Sequence, residues 1–257
     1  FVALMLVMYE RYPIMVQQVL TVLTFTLFFC TGNSQLPSDV QKCSITDDDC
    51  LKTTIQTVLR HLQNDPSVFH VASVQPMRLS QGVVPAGQVW TFDQYYHDVE
   101  MYNHAMSTVT HVESSITNNT LTFAINISNP DVVFKTDYEY KNAFFDGFNV
   151  TSKGKVIHHH EGYVGVVQIT GDIEGEGDTK HVTITDVAVS FVTSKLTFDY
   201  NTADPQFDAW LGKLFADNME SIFNDMKGAY GDFYAYAYNT IIITPIFTTF
   251  SYNDLFL

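Results

Sequence analysis

The sequence predicts a single-domain α+β fold, in which a highly curved antiparallel β-meander wraps one long C-terminal α-helix and a short helix precedes the sheet. Three observations predict it. Between about Val68 and Tyr200, apolar residues alternate with a period of two, the spacing of strands that bury one face. From Phe207 to Ile241 they recur at three and four residues, enough for about nine helical turns. Leu51, Ile55, Val58, Leu59 and Leu62 form a second, shorter helical stripe. A sheet with this much apolar face must cover it, and wrapping the strands around the long helix does so economically.

Ahead of these elements, MVQQVLTVLTFTLFFCTGNSQ contains an apolar run from Val19 to Cys30 that suits a signal peptide starting near Met15. Gly32 and Ser34 suit cleavage near Ser34–Gln35. Residues 1–35 are therefore read as leader, with 1–14 upstream of the signal peptide, and residues 36–257 as one mature domain. A signal anchor is the competing reading. A membrane span needs about 18 apolar residues, and Gln17 and Gln18 interrupt this run.

KCSITDDDCL then brings Cys43 and Cys50 close together, while the third cysteine, Cys30, belongs to the leader. An even pair left in an oxidising compartment predicts a disulfide. A metal site is the rival reading, against which no second Cys or His pair stands nearby at ligand spacing. Sequons at Asn118, Asn126 and Asn149 support secretion and glycosylation. The net charge of −15, which loss of Glu10 and Arg11 would not alter, argues against nucleic acid and anionic lipid surfaces as partners. An acidic exterior around 20 Phe and 14 Tyr is compatible with a soluble container for something apolar, without stable membrane insertion.

The first helix is predicted to open on a Thr46–Asp49 capping box, with Asp47 to Asp49 on the positive end of its dipole, and to stop at Asn64-Asp65-Pro66. Strands are predicted at about 88–102, 105–117, 120–128, 131–141, 162–170, 180–192 and 195–200. In TLTFAINIS, Leu121, Phe123, Ile125 and Ile127 take the inner face and Asn126 the outer one. The apolar phase flips in 180–192, which predicts a β-bulge near Asp186. Asp204-Pro205 reads as N-cap and first turn of the long helix, Gly228 and Gly231 predict a kink or break, and Pro245 its end.

The most conspicuous polar cluster is His158-His159-His160-Glu161. As a strand it turns His158 and His160 to one side, where they could hold a divalent metal, although no third ligand follows from the spacing. A solvated strand end or a pH-sensitive edge is the simpler reading. G-x-S-x-G, H-E-x-x-H and Walker patterns are all missing, so no enzyme and no cofactor is expected.

Several segments together carry a family resemblance. LPSDVQKCSITDDDCLKTTIQTVL resembles the opening of the insect juvenile hormone-binding protein and takeout family, and IFTTFSYNDLFL resembles its closing segment, with Ser251 where a proline is usual and Tyr252, Asp254, Leu255 and Phe256 fitting. NPDVVFKTDYEYK and VQITGDIEGEGDTKHVTITDVAV resemble internal family strands, so the likeness spans nearly all of the mature chain. The resemblance implies an elongated, TULIP-like, secreted carrier. Its partner would be a small hydrophobic ligand, whether a juvenile hormone-like terpenoid, a fatty acid or another lipid, held in an internal tunnel. It also implies that Cys43–Cys50 is the family's N-terminal disulfide. Moth hormone-binding members carry a second disulfide, for which no cysteine remains, so the likeness leans toward takeout-like proteins. The family's usual helix proline is missing too, with Gly228 near its place.

On this basis the ligand-binding set is Leu51, Ile55, Val58, Leu62, Phe123, Ile125, Phe134, Tyr138, Leu214, Ile222, Phe223, Met226, Tyr230, Phe233 and Tyr234. Tyr230, Tyr234 and Tyr238 are candidate polar anchors, each a hydroxyl on an apolar ring. The alternative is a secreted structural or interaction protein that reuses the fold with a collapsed cavity.

Overall fold

The structure, a computed structural model, describes residues 35–257 apart from 89, 90, 142, 146 and 203. The predicted signal peptide, with Cys30, lies outside the described residues. Leu36–Leu257 forms one compact unit.

Helix α1 spans Asp48–Asn64. Its N-cap is Asp47, whose carboxylate accepts from the Cys50 N–H at 3.0 Å. The expected Thr46–Asp49 box does not form, because Thr46 Oγ1 turns back onto Ser44 Oγ. Cys43 and Cys50 are disulfide-bonded, with Cα atoms 5.7 Å apart. Cys43 also forms a β-bridge with Phe256, and its carbonyl accepts from the Leu257 N–H at 3.1 Å. The bridge thus ties both ends of the unit to α1.

The sheet is a curled half-barrel of seven strands: β1 (Met77–Val84), β2 (Gln94–Tyr102), β3 (Thr108–Thr117), β4 (Thr120–Tyr140), β7 (Ser152–Glu174), β8 (His181–Val192) and β9 (Lys195–Asn201). A small hairpin, β5 (Phe144–Phe145) with β6 (Phe148–Asn149), stands apart. β4 and β7 pair antiparallel along their whole lengths. On the far edge of β4, β3 covers the first half and β2 the second. On the far edge of β7, β9 covers the first half and β8 the second. The strand order is therefore β3-β4-β7-β8 at one end and β1-β2-β4-β7-β9 at the other.

Both changeovers fall where Pro130 faces Gly162. Pro130 has no N–H for the ladder. Gly162 sits at φ +62°, and a Cβ there would collide with Ser194 Oγ. The two strands expected at 120–128 and 131–141 are nevertheless one, because β4 stays paired with β7 in a single register across Pro130. The expected bulge in β8 is present, with Thr170 opposite Asp186 and Gly171 opposite Ile184, so that Thr185 is the extra residue.

Asp204 caps helix α2 (Pro205–Asp217) by accepting from the Gln206 and Phe207 N–H groups. Helix α3 (Met219–Ala237) follows, then a π-helical turn (Tyr238–Ile243), α4 (Thr244–Thr249) and a last turn, α5 (Tyr252–Leu255). α2 lies on β9, and α3 lies inside the curl between β1 and β8.

The helical break falls at Asn218 and not at Gly228 or Gly231. Asn218 leaves helical geometry at φ −115°, ψ 16°, and its Nδ2 donates to the Leu214 carbonyl at 2.8 Å, replacing a lost backbone bond. The helix runs through both glycines because its buried face outweighs a propensity penalty of about 1 kcal/mol each. Gly231 has a positive role, since a Cβ there would strike the Val189 carbonyl oxygen of β8. Pro245 does not end the helical segment either. The Thr244 N–H reaches five residues back to the Asn239 carbonyl, and the wide turn leaves Pro245 in the first turn of α4, where its missing N–H costs nothing.

Candidate ligand-binding site

An apolar cavity lies between α1, the β3–β4–β7 end of the sheet and the segment after α3. It has two lobes of about 150 and 130 Å³ that share Ile55, Val58, Ile125, Ile169, Ile242 and Ile243. The outer lobe adds Leu36, Val40, Cys43, Leu51, Thr54, Phe69, Phe123, Ile246, Phe247, Leu255 and Phe256. The inner lobe adds Leu59, Leu62, Ala105, Ile127 and Val167, together with three polar side chains, His104, Ser107 and Tyr238. Among the described residues no Asp, Glu, Lys or Arg lines either lobe.

Each wall has a local cause. The helical stripe of α1 points Leu51, Ile55, Val58 and Leu62 to one side. Strand alternation places Phe123, Ile125 and Ile127 together. The third wall comes from IIITPIF, which is too apolar to spare a polar face and so meets apolar surface on more than one side. Disulfide-bonded Cys43 and the terminal Leu255 and Phe256 complete the outer lobe. A cavity of this size lined by Leu, Ile and Phe stays dry and accepts apolar guests.

Beyond the two lobes the core is aromatic. Tyr96, Phe134, His158, Tyr230 and Phe233 form mutual edge and stacked ring contacts with centroids 5.2–6.4 Å apart. Three tyrosines on one helical face each bond a buried imidazole: Tyr230 Oη to His158 Nδ1 at 2.6 Å, Tyr234 Oη to His160 Nδ1 at 2.9 Å, and Tyr238 Oη to His104 Nδ1 at 2.6 Å. The Nε2 atoms of all three histidines are buried without a partner. Burial lowers the pKa of His104 and of His160 to about 3, and a neighbouring imidazole adds to each shift. His158 is held well below its ordinary value, again mainly by burial.

This overturns the simpler readings of His158-His159-His160. His158 and His160 are at 0% exposure in the middle of β7, so they are neither a solvated strand end nor an edge that charges in mild acid. His159 alone faces outward, 2.8 Å from Asp131. Among the described residues no three potential ligands gather around a metal position.

The expected ligand-binding residues divide into two groups. Leu51, Ile55, Val58, Leu62, Phe123 and Ile125 line the cavity. Phe134, Tyr138, Leu214, Ile222, Phe223, Met226, Tyr230, Phe233 and Tyr234 line neither lobe. Seven of these are packed into the core, while Leu214 and Phe223 are half-buried against it. Of the three candidate tyrosine anchors, only Tyr238 reaches the cavity wall. Sequence reasoning missed His104, Phe69 and the Ile242-to-Phe247 wall. The apolar run after the long helix was the signal for the last of these.

Fold and cavity together define a half-barrel α+β protein with an apolar chamber beside its disulfide-tied first helix. The chain belongs to the haemolymph juvenile hormone binding protein (JHBP) family, whose sequence model matches residues 20–257. Its fold is similar to that of Takeout 1 from Epiphyas postvittana, with a TM-score of 0.62 at 12% identity, covering 79% of this chain and 96% of that one. A lipopolysaccharide binding protein is a more distant likeness, with a TM-score of 0.36 at 12% identity over 77% of this chain and 39% of the other. No curated protein sequence matches the chain.

Proposed function

We propose that this protein is a secreted, non-enzymatic carrier that encloses a small hydrophobic ligand in the two-lobed cavity. The observation that carries this reading is the cavity itself: two adjoining lobes walled by aliphatic and aromatic side chains, at the end of the fold where the disulfide fastens α1. Burying an apolar molecule returns about 25 cal/mol per Å² removed from water, so a terpenoid or acyl chain needs little polar help to bind. Membership of a family described as haemolymph hormone-binding proteins supports both the ligand class and the extracellular setting. No described helix is long and apolar enough to cross a membrane. Asn118 and Asn149 are exposed and Asn126 lies on the face of β4 opposite the cavity, which suits all three as glycan acceptors.

In this reading the ligand sits beside α1 and the π turn, where the two lobes lie. Displacement of N-phenyl-1-naphthylamine fluorescence by C12 to C16 terpenoids and lipids tests it. Saturable displacement is expected. A delipidated protein that neither takes up the dye nor retains any extractable lipid when expressed would reject the carrier in favour of a structural protein with a collapsed chamber.

A further inference from the structure

The polar groups of the cavity are gathered at one place. In the outer lobe the polar side chain is Thr54, and its hydroxyl already donates to the Gln41 carbonyl at 2.9 Å. In the inner lobe His104, Ser107 and Tyr238 stand together among aliphatic neighbours. Ser107 Oγ accepts from Asn129 Nδ2 at 3.1 Å, and Tyr238 fixes the imidazole through Nδ1 at 2.6 Å. His104 Nε2 remains without a hydrogen bond on a side chain that is 97% covered. His158 and His160 share that unsatisfied atom but lie away from both lobes, so His104 alone combines an unused polar valence with a place in the cavity wall. A buried polar group left unpaired is costly, and a partner that satisfies it is correspondingly favoured.

We infer that the His104–Tyr238 pair is the polar anchor of the cavity and receives one uncharged oxygen of the ligand, a hydroxyl, ester or ketone, while the hydrocarbon extends into the outer lobe. This rests on the carrier reading and narrows it. His104 stays neutral at pH 7, held down by burial and by His160, and among the described residues no cation lines either lobe. An ionised carboxylate would therefore enter without a counter-charge, a costly burial. The site favours alcohols and esters over free acids.

Three C15 compounds with one carbon skeleton separate these statements: farnesene, farnesol and farnesoic acid, each competed against N-phenyl-1-naphthylamine at pH 7.5. Farnesol is expected to bind at least tenfold more tightly than farnesene, and farnesoic acid more weakly than farnesol. In His104→Phe the farnesol preference falls to within about twofold while farnesene affinity is retained. If His104→Phe does not fold, the imidazole ¹⁵N resonances of the wild-type protein serve instead. Farnesol shifts one buried histidine and farnesene leaves it unmoved. Equal binding of farnesol and farnesene, or a preference that survives His104→Phe, overturns the anchor and leaves the carrier standing. If none of the three binds, both fall.

Discussion

Tyr234 Oη lies 2.9 Å from His160 Nδ1, and one helical turn earlier Tyr230 Oη lies 2.6 Å from His158 Nδ1. The helix advances four residues between these rungs and the strand two. Four helical residues rise about 6 Å and two strand residues about 6.6 Å, so α3 and β7 keep step and both pairs form together. The pairs act as a key that sets how far α3 slides along the sheet. Tyr234→Phe strips His160 Nδ1 of its partner and is expected to cost about 1–3 kcal/mol. Adding His160→Phe removes the orphan as well, so the double variant should lose less than the sum of the singles. Urea unfolding of the four proteins in the cycle measures the coupling, and strict additivity would show that Tyr234 and His160 do not interact.

These two histidines and His104 make the fold sensitive to acid. Burial holds His104 and His160 at a pKa of about 3 and His158 well below its ordinary value. An unfolded chain protonates them near 6.5, so below that pH the unfolded state binds more protons than the folded one. Their contribution is intact above about pH 6.5 and is lost as pH falls toward 3. Each can cost about 1.4 kcal/mol per pH unit, or roughly 4 for the three together. Urea midpoints should be level from pH 7 to 8 and fall steeply between 6.5 and 5. Replacing one of the histidines by Phe should remove about a third of that slope. A stability profile level down to pH 4.5 would refute the assignment.

How much of this was legible in the sequence depends on how local each cause is. The α1 stripe, the Asp204-Pro205 opening and the β8 bulge are written in neighbouring residues, and all three stand in the structure. The His–Tyr rungs join residues more than seventy positions apart, so His158 and His160 read as a surface feature and the tyrosines as cavity anchors. The break at Asn218 was hidden for a related reason. Intrinsic propensity points to the glycines, whereas burial of the helix face and the Asn218 side-chain bond to Leu214 decide the outcome. The cavity was half legible, because α1 and the first half of β4 announce their faces, but nothing local says that Ile242 to Phe247 fold back to form the third wall.

The two α3 glycines should respond to alanine with opposite signs. Nothing lies within 4 Å of a Cβ built on Gly228, so Gly228→Ala should stabilise by about 0.8–1 kcal/mol through helix propensity. At Gly231 the added methyl meets the Val189 carbonyl and must push the helix off β8, with an expected loss of about 1–3 kcal/mol. Thermal melts of the two variants decide it. A stabilised Gly231→Ala would mean that α3 sits farther from the sheet.

Removing the disulfide tests how the cavity's outer wall is held. Cys43 and Cys50 close a short loop, and the chain-entropy relation assigns such a bridge about 2–3 kcal/mol. Cys43→Ser/Cys50→Ser should lose that much in urea unfolding. The Cys43 carbonyl also holds the Leu257 N–H, so protease cleavage at the C-terminal turn should rise in the double variant. Unaltered proteolysis there would mean that Lys42 Nζ on the Asn253 carbonyl and the Asn253 side chain on the Gly177 carbonyl suffice to hold it.

Ile125 borders both lobes of the chamber, and enlarging it separates two effects that most core substitutions confound. A bulkier side chain in a filled core forces strain of about 1–3 kcal/mol. Next to a void the extra atoms have somewhere to go, and the stability of Ile125→Phe should stay within about 1 kcal/mol of the parent. The same atoms occupy the junction through which a long ligand must pass from one lobe to the other. Affinity for a C15 or longer chain should therefore fall at least tenfold, while a small guest such as toluene, which fits one lobe, keeps its affinity. Equal losses for long and short guests would mean that the lobes are not joined in the working protein, and unaltered binding of both would place the ligand elsewhere.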